Sequence, residues 1–306
     1  MTLFSTQNSK PKADRLQQLL DQKGIIVMPG CYDALTAKMI EREGLDVGFM
    51  SGFCVSSTKL GMPDTGLISF SEMAEQVRNI CNVTSIPIIF DGDTGYGNAV
   101  NVYRTVRGFA DAGAAAVMIE DQVAPKRCGH TPGKEVVSRD EAFDRIRAAV
   151  DARNELISAG GSEILVLART DARHEYGLTE AIERSAHFAE LGADILFVEA
   201  PQTESEMAEI CQSLPGPKMA NIVEGGLTPE LSVDVLYGIG YSLAAYPLTL
   251  LAASMKAMTD SLRGMRERRS LHLMNFEELR ERVGFNDYYE ISARYSSSNR
   301  ELRRED

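Results

Sequence analysis

The chain has 306 residues, 44% of them hydrophobic, and a formal net charge of −12. This acidic balance lacks the basic excess of proteins that bind nucleic acid through its phosphates, and no stretch of about twenty uncharged apolar residues indicates a membrane span. Five scattered cysteines without CxxC spacing predict neither a disulfide framework nor a thiolate zinc site. We therefore expect a cytoplasmic protein with no nucleic-acid or membrane partner.

Short apolar runs alternate with amphipathic helical stretches along the chain. Strands are predicted at residues 25–28, 47–50, 87–90, 115–119, 164–168, 195–198, 218–222 and 242–245. Helices are predicted at residues 34–43, 71–81, 100–112, 139–159, 179–191, 204–214 and 229–237, with starts indicated by Ser71, Ser138, Thr179 and Thr228. Eight strands with intervening helices predict an α/β fold, a closed (β/α)8 barrel of the TIM type.

The main alternative is an open, doubly wound sheet, which usually carries a glycine-rich phosphate loop after its first strand. The sequence has no such loop there, because DGDTGYGN at residues 91–98 follows the third strand and spaces its glycines differently. Beyond the eighth strand, helices are predicted at 248–267 and near 275–283. We expect one barrel domain over residues 1–306, in which residues 268–306 form a C-terminal helical extension and a polar tail.

Acidic side chains dominate the ends of the predicted strands. Asp91 and Asp93 follow the third strand, Glu120 follows the fourth and Glu199 follows the sixth. Carboxylates that meet at one barrel mouth repel one another unless a hard cation with oxygen ligands joins them. The pattern predicts Mg²⁺ bound directly by Asp93, with Asp91 and Glu120 acting through water and with Mn²⁺ as a substitute. The alternative for Asp91 and Asp93 is a turn held by aspartate side chains.

A thiol lies in a basic loop directly after the fourth strand. The stretch EDQVAPKRCGH at residues 120–130 contains Lys126, Arg127, Cys128 and His130. Neighbouring cations stabilise a thiolate and lower the pKa of a thiol, so Cys128 is a candidate proton donor or nucleophile. Arg169, after the fifth strand, is a candidate to bind a substrate carboxylate; the alternative is a buried ion pair.

Together these motifs resemble the isocitrate lyase and phosphoenolpyruvate mutase superfamily. The matching segments are PGCYDALTA (29–37), MSGFCVS (50–56), GMPDTG (61–66), DGDTGYGN (91–98), EDQVAPKRCGH (120–130), ARTDA (168–172), FVEAP (197–201) and NIVEGGLTP (221–229). The KRCGH segment resembles the lyase branch. The resemblance implies a barrel with Mg²⁺ at the carboxyl ends of its strands, in a homotetramer built from two dimers that exchange their last barrel helix.

The resemblance, together with the motifs, implies a set of site residues that act on a small-molecule carboxylate. The expected catalytic residues are Cys128, His130, Lys126, Arg127, Tyr32 and Glu120. The expected substrate-binding residues are Ser51, Gly52, Phe53, Asp64, Gly129, Arg169, Glu199, Asn221, Glu224, Pro247 and Thr249. The expected metal site consists of Asp93, Asp91 and Glu120.

The resemblance also ranks the activities within the superfamily. Its phosphonate mutases and hydrolases have a different loop and lack the glutamate after strand six, whereas this chain has Cys128 and Glu199. Its oxaloacetate hydrolases carry a serine where this chain has Pro247, and its decarboxylases generally lack the thiol loop. Pro247 resembles the methylisocitrate lyases, whereas Gly225 resembles the dimethylmalate lyase group and Phe53 departs from the methylisocitrate pattern.

We therefore expect a carbon–carbon lyase that cleaves a 2-hydroxy di- or tricarboxylate of the 2-methylisocitrate or 2,3-dimethylmalate type. The products would be a 2-oxo acid such as pyruvate and a second carboxylic acid. In this hypothesis Tyr32 or a metal-linked carboxylate removes the hydroxyl proton, and Cys128 protonates the carbanion. Residues 122–134 are expected to form a lid. The alternatives are an oxaloacetate hydrolase or decarboxylase and a phosphonopyruvate-processing enzyme.

Overall fold

The computed structural model describes residues 12–22, 24–127, 129, 133–161 and 163–295. Its strands are β1 Ile26–Cys31, β2 Gly48–Met50, β3 Ile88–Asp91, β4 Ala116–Glu120, β5 Leu165–Thr170, β6 Ile195–Val198, β7 Met219–Asn221 and β8 Leu243–Tyr246. Its α-helices are α1 Lys12–Leu20, α2 Ala34–Arg42, α3 Gly52–Val55, α4 Phe70–Cys81, α5 Ala99–Asp111, α6 Arg139–Ser158, α7 Ala172–Tyr176, α8 Leu178–Glu190, α9 Glu204–Ser213, α10 Val233–Ile239, α11 Thr249–Glu267, α12 Phe276–Val283 and α13 Phe285–Arg294, and a π-helical turn covers Ser56–Leu60.

The eight strands form one parallel sheet in the order β6-β5-β4-β3-β2-β1-β8-β7. β1 pairs with both β2 and β8, so the first and last strands lie side by side. A single parallel bridge between Leu196 and Lys218 joins β6 to β7 and completes the ring. Helices lie between the strands, and the predicted (β/α)8 barrel is therefore confirmed.

Side-chain alternation along the strands separates two apolar layers. In β4, Ala116 and Met118 belong to the cluster inside the barrel, whereas Val117 and Ile119 belong to the larger cluster between the strands and the outer helices. Leu16 of α1 is fully buried in the inner cluster. Parallel strands buried on both faces read as continuous apolar runs, which explains why the sequence predicted all eight.

Several predicted helix starts are wrong by a few residues, although Ser138 does cap α6 as expected. Ser69, and not Ser71, caps α4, because Glu72 at the third helical position returns a hydrogen bond to the Ser69 backbone. Gly177 rather than Thr179 precedes α8. The segment 229–232 is not helical: Ser232, and not Thr228, caps α10.

The described residues up to Ala252 form one compact unit and those from Ala253 onwards form a second. The second unit contains most of α11, then α12, which begins at the cap Asn275 as predicted, and α13, which the sequence analysis missed. Among the described helices none is both long enough and apolar enough to cross a membrane. The exchange of a helix between subunits stays a prediction.

Candidate active site

The barrel interior delivers a polar or small side chain to its mouth from almost every strand. Residues two apart on a strand share a face, and the inner cluster contains Phe49, Ile89, Met118, Leu167, Phe197, Met219 and Ala245. Two residues further along the chain stand Ser51, Asp91, Glu120, Arg169, Glu199, Asn221 and Pro247. These seven predicted site residues therefore converge at the carboxyl ends of the strands, where barrels of this type place their active sites.

The first charge cluster, the Lys126 cluster, consists of Lys126, Asp64, Asp91 and Asp93. The Lys126 ammonium lies 2.7 Å from Asp64 Oδ2 and 2.8 Å from Asp93 Oδ1, and all three side chains are at most 5% exposed. Burial raises the pKa of Asp93 to about 7, although Lys126 opposes this shift. Burial also opposes the charge on Lys126, but Asp93 and Asp64 together raise its pKa well above the ordinary value.

The backbone around Asp91 fits closely against this carboxylate. Asp91 accepts hydrogen bonds from the Gly52 N–H at 3.1 Å and from the Asp93 N–H at 3.0 Å. A Cβ atom on Gly52 would lie 2.6 Å from Asp91 Oδ2, so only glycine allows this approach. Asp93 itself has a φ of +48°, a conformation that non-glycine residues adopt at a cost and mainly at functional sites.

The second cluster, the Arg169 cluster, consists of Arg169, Glu120, Asp171, Glu199 and Lys134. Arg169 Nε lies 2.8 Å from Asp171 Oδ2 and 3.3 Å from Glu120 Oε2, and Arg169 Nη2 lies 3.1 Å from Glu199 Oε2. Burial would raise the pKa of Asp171, but Arg169 and Lys134 together hold it below its ordinary value. Burial raises the pKa of Glu120 well above its ordinary range, and Arg169 opposes that shift.

A cavity of about 500 Å³, its open mouth included, lies between the two clusters. Eleven predicted site residues line it: Ser51, Phe53, Asp64, Asp91, Lys126, Arg127, Gly129, Arg169, Glu199, Asn221 and Pro247. Its remaining walls are apolar, formed by Phe49, Met118, Phe197, Met219, Val223 and Leu248. The Asn221 amide donates a hydrogen bond to Glu199 Oε2 at 3.2 Å across the junction of β6 and β7. The lining of the cavity thus combines charged groups with apolar side chains.

The remaining predicted site residues that the structure describes do not line the cavity, although some of them contact residues that do. Gly52, Asp93 and Glu120 do not line the cavity but contact residues that do. The Thr249 hydroxyl donates to Glu224, which is exposed, and neither residue is among those that line the cavity. Tyr32 lies in the outer apolar cluster, 8% exposed, and is likewise absent from the cavity lining. Cys128 and His130 lie outside the described residues.

Buried oxygen atoms suit a hard cation at this site. Among the described residues, Asp64 Oδ1 and Glu120 Oε1 are buried without a hydrogen-bond partner. No group of three or more His, Cys, Asp or Glu in the described part of the chain is arranged to hold a metal by itself. Mg²⁺ does not need such a group, because it keeps several waters and binds through one or two carboxylates. The unpartnered oxygens of Asp64 and Glu120 therefore fit a hard cation such as Mg²⁺, whereas the role of Asp93 as its direct ligand stays a prediction.

The buried ion pair that the sequence offered as the alternative for Arg169, with Glu199 or Asp171 as its partner, is confirmed with both residues, whereas sequence reasoning missed Lys134. Asp171 stands two residues after Arg169, and its N–H donates to Asp121 Oδ1 at 2.9 Å, which ties the ends of β4 and β5 together. Lys134 follows Gly133 at the end of the thiol loop. The ARTDA motif contained a signal for Asp171, since an arginine and an aspartate two apart share a strand face, whereas nothing in the sequence singled out Lys134.

Comparisons with known proteins agree with these observations. Residues 16–266 match a family model described as Phosphoenolpyruvate phosphomutase. The chain belongs to the phosphoenolpyruvate mutase and isocitrate lyase superfamily. It is 40% identical to 2,3-dimethylmalate lyase of Eubacterium barkeri, covering 93% of this chain and 98% of that protein. It is 39% identical to 2-methylisocitrate lyase of Aeropyrum pernix, covering 94% and 92%.

Another relative and several solved structures belong to the same superfamily. The chain is 42% identical to the chloroplastic carboxyvinyl-carboxyphosphonate phosphorylmutase of Arabidopsis thaliana over 92% of this chain and 84% of that protein. Structures of 2,3-dimethylmalate lyase and of oxaloacetate acetylhydrolase with 3,3-difluorooxalacetate each superpose with a TM-score of 0.88 at 32% identity. They cover 94% and 92% of this chain and 96% of their own chains. The predicted enzyme class, a carbon–carbon lyase, is confirmed at the level of the family.

One further structural relative bears on the metal. A structure of phosphonopyruvate hydrolase with oxalate and Mg²⁺ has a TM-score of 0.81 at 28% identity and covers 94% of this chain and 99% of its own. The groups bound in that protein are a small dicarboxylate and a divalent cation.

Proposed function

We propose that this protein is a Mg²⁺-dependent lyase that cleaves a 2-hydroxy di- or tricarboxylate to a 2-oxo acid and a second carboxylic acid. The observation that carries the proposal is the cavity between the two charge clusters. Its lining offers cations for carboxylates and apolar side chains for the rest of a substrate, and unpartnered carboxylate oxygens for a metal lie at the same barrel mouth. The 2,3-dimethylmalate and 2-methylisocitrate lyases among the relatives support the same reaction type.

The residues of the chain divide the chemistry among them. Asp93, with Asp91 and Glu120, would hold Mg²⁺, or Mn²⁺ in its place, and the bound ion would supply a Lewis acid for the substrate's hydroxyl and carboxylate oxygens. Arg169 would bind negative charge on the departing acid, as preorganised donors do.

The proposed cleavage transfers two protons and breaks one carbon–carbon bond. The hydroxyl proton passes to a base, the electrons of the carbon–carbon bond pass to the departing acid, and Cys128 returns a proton to the resulting carbanion. General acid catalysis of this kind contributes roughly two to four orders of magnitude in rate. Cys128, His130 and Arg127 were expected from the sequence to be catalytic residues, and we retain them as such in this proposal.

Tyr32 and Glu120 are the two candidates for the base. Glu120 contacts Arg169, which lines the cavity, whereas Tyr32 lies in the outer apolar cluster. We therefore assign the base to the carboxylate side of the site. Tyr32→Phe tests the assignment: a kcat within about threefold of the wild-type value agrees with it, and a fall of two orders of magnitude or more identifies Tyr32 as the base.

Phosphorus chemistry is the second candidate function, favoured by the 42% identity to carboxyvinyl-carboxyphosphonate phosphorylmutase. We rank it lower because the KRCGH segment resembles the lyase branch. An oxaloacetate hydrolase ranks lower as well, because Pro247 supplies no hydroxyl group. The homotetramer and the cytoplasmic location stay predictions.

A single panel of substrates separates these candidates. The purified protein with Mg²⁺ is incubated with 2,3-dimethylmalate, 2-methylisocitrate, isocitrate, oxaloacetate and phosphonopyruvate, with detection of 2-oxo acids and, for phosphonopyruvate, phosphorus NMR. We expect a 2-oxo acid from 2,3-dimethylmalate or 2-methylisocitrate. Turnover of phosphonopyruvate or oxaloacetate alone would overturn the proposed function.

A further inference from the structure

Lys134 is a buried lysine that the proposed chemistry does not use. Its side chain is 1% exposed and that of its partner Asp171 is fully buried, with 3.0 Å between the Lys134 ammonium and Asp171 Oδ1. The same ammonium donates a hydrogen bond to the Gly129 carbonyl. One cation therefore joins the thiol loop to the end of β5.

Gly129, in turn, rests directly on a pair of charged side chains at the edge of the cavity. A Cβ atom at this position would lie 2.5 Å from both Arg169 Nη2 and Glu199 Oε2. A side chain at this position would therefore require either the Gly129 peptide or the Arg169–Glu199 pair to shift. The Gly129 backbone thus lies between Lys134, which donates a hydrogen bond to its carbonyl, and the Arg169–Glu199 pair, which it approaches closely.

Position 134 requires a cationic side chain, and an uncharged side chain of similar volume would not replace it. Asp171 makes two hydrogen bonds to Arg169, at 2.8 and 3.0 Å, and so fixes the guanidinium that lines the cavity. Asp171 must be ionised for this, and burying a carboxylate is costly unless cations surround it. Arg169 and Lys134 are the cations in ion-pair contact with Asp171 among the described residues.

The base of the loop is also fixed, by other contacts. The Gln122 side chain exchanges two hydrogen bonds with the Arg127 backbone, each of 2.9 Å. The Val123 N–H donates to the Glu135 carbonyl at 2.8 Å. These bonds anchor both ends of the segment but do not reach the Arg169 cluster. Lys134 provides the connection between the two.

We propose that Lys134 is a positioning residue, which holds the Gly129 peptide against the Arg169–Glu199 pair and so sets the place of the thiol loop at the cavity. This role rests on the proposed lyase function. The proposal gives Lys134 no proton-transfer step, because its ammonium is directed to Gly129 and Asp171 and it does not line the cavity.

The test compares Lys134→Met with a matched control, Lys218→Met. Lys218 is also buried, 8% exposed, and its ammonium also donates to backbone carbonyls, those of Leu214 and Gly216, at 3.1 and 2.7 Å. We expect Lys134→Met to lower kcat by about 10- to 100-fold with KM within about threefold of wild type, since a displacement of about 1 Å at a reacting group costs up to about 100-fold. Lys218→Met should leave kcat unchanged. Equal losses in both variants would reduce Lys134 to a structural role.

A second variant keeps the test decisive if Lys134→Met does not fold. Gly129→Ala leaves Lys134 and Asp171 in place but pushes the peptide away from Arg169 and Glu199. It should reproduce the fall in kcat at nearly constant KM. A kcat within about threefold of wild type in Gly129→Ala would overturn the proposal.

A readout without substrate separates this proposal from the lyase function. The rate at which iodoacetamide alkylates Cys128, followed by peptide mass spectrometry with an added cysteine peptide as the reference, should change at least threefold in Lys134→Met and not in Lys218→Met. If the wild type cleaves no hydroxy acid but this difference persists, the lyase function is wrong and the positioning role stands. If the alkylation rates are equal in all three proteins, the positioning role is wrong.

Discussion

The two charge clusters at the barrel mouth differ in how fully their groups are paired. In the Arg169 cluster, Arg169 meets three carboxylates, and Asp171 is held by two cations. In the Lys126 cluster, the Lys126 ammonium forms ion pairs with both Asp64 and Asp93. Asp64 Oδ1 has no hydrogen-bond partner among the described residues. The pKa values follow this contrast in part: that of Asp171 is lowered and that of Asp93 is raised to about 7, but burial also raises the pKa of Glu120 in the Arg169 cluster.

The difference separates a preorganised region from one that is ready to accept a ligand. The Arg169 cluster holds two cations for three carboxylates and so fixes the geometry of its guanidinium, although Glu120 Oε1 within it has no hydrogen-bond partner among the described residues. The Lys126 cluster holds one cation for three carboxylates and gains more from an added cation, since the added charge relieves both the repulsion and the burial cost. This difference supports the proposal that the Arg169 cluster binds an anion and that the Lys126 cluster, together with Glu120, binds the metal.

The largest effect should come from a residue that belongs to neither cluster. Cys128→Ser removes the proposed proton donor, so kcat should fall by about 10²- to 10⁴-fold while KM changes little. Steady-state kinetics with the preferred hydroxy acid measure both constants. Cys211→Ser is the control and should keep wild-type kinetics, because Cys211 lies away from the cavity lining. A near-normal kcat in Cys128→Ser would remove the thiol from the mechanism.

The next effect concerns the paired cluster. Arg169→Met leaves Glu120, Asp171 and Glu199 buried without their shared cation, which should lower the free energy of unfolding by about 3–5 kcal/mol. Urea denaturation followed by circular dichroism measures the change. Arg147→Met is the control, because Arg147 and its partner Asp144 are 52% and 60% exposed and such pairs contribute little. Similar losses in both variants would contradict the view that the buried carboxylates of the Arg169 cluster depend on their shared cation.

A smaller effect is expected at the Lys126 cluster. Mg²⁺ at about 100 times its Kd should stabilise the wild type by about 2.7 kcal/mol, and Asp93→Asn should lose most of this increment. Thermal unfolding with and without Mg²⁺ measures it, and Asp46→Asn, at an exposed ion pair, is the control. Activity should disappear on chelation and return with Mg²⁺ or Mn²⁺. Undiminished turnover after chelation and dialysis would exclude the metal.

The smallest effect concerns Phe53, an aromatic residue that lines the cavity. We expect its ring to limit the room for the additional carboxylate group of the larger substrate, 2-methylisocitrate. Phe53→Gly should therefore raise the ratio of kcat/KM for 2-methylisocitrate over 2,3-dimethylmalate by about tenfold, within the range that pocket size alone achieves. Competition assays give this ratio directly. An unchanged ratio would show that Phe53 does not select the substrate.

The strands and the strand-end acids could be predicted because each depends on a short stretch of sequence. Buried parallel strands are continuous apolar runs, and the residue after each run lies at the barrel mouth whatever the helices do. The start of α4 could also have been predicted, because Ser69 and Glu72 have the spacing of a capping box, whereas Ser71 has no such partner.

The pairing within the site could not be predicted in the same way. Tyr32 is an even number of residues beyond the inward-facing Met28, yet it turns to the outer cluster after β1 has ended. Lys134 reaches Asp171 only because the loop returns along residues 121–123, a path fixed by the bridge between Gln122 and Val136. Such contacts depend on loop geometry, which strand periodicity does not determine.

The strand junction with the least backbone pairing, between β6 and β7, lies at the candidate site. Between β6 and β7 the backbone contributes one isolated bridge, Leu196 to Lys218, yet the Asn221 amide crosses the same junction to Glu199 at the cavity. A bound substrate that contacts Asn221 and Glu199 would stabilise the junction between β6 and β7 and so slow amide hydrogen exchange along both strands. Hydrogen exchange in these two strands would then report whether the cavity is occupied.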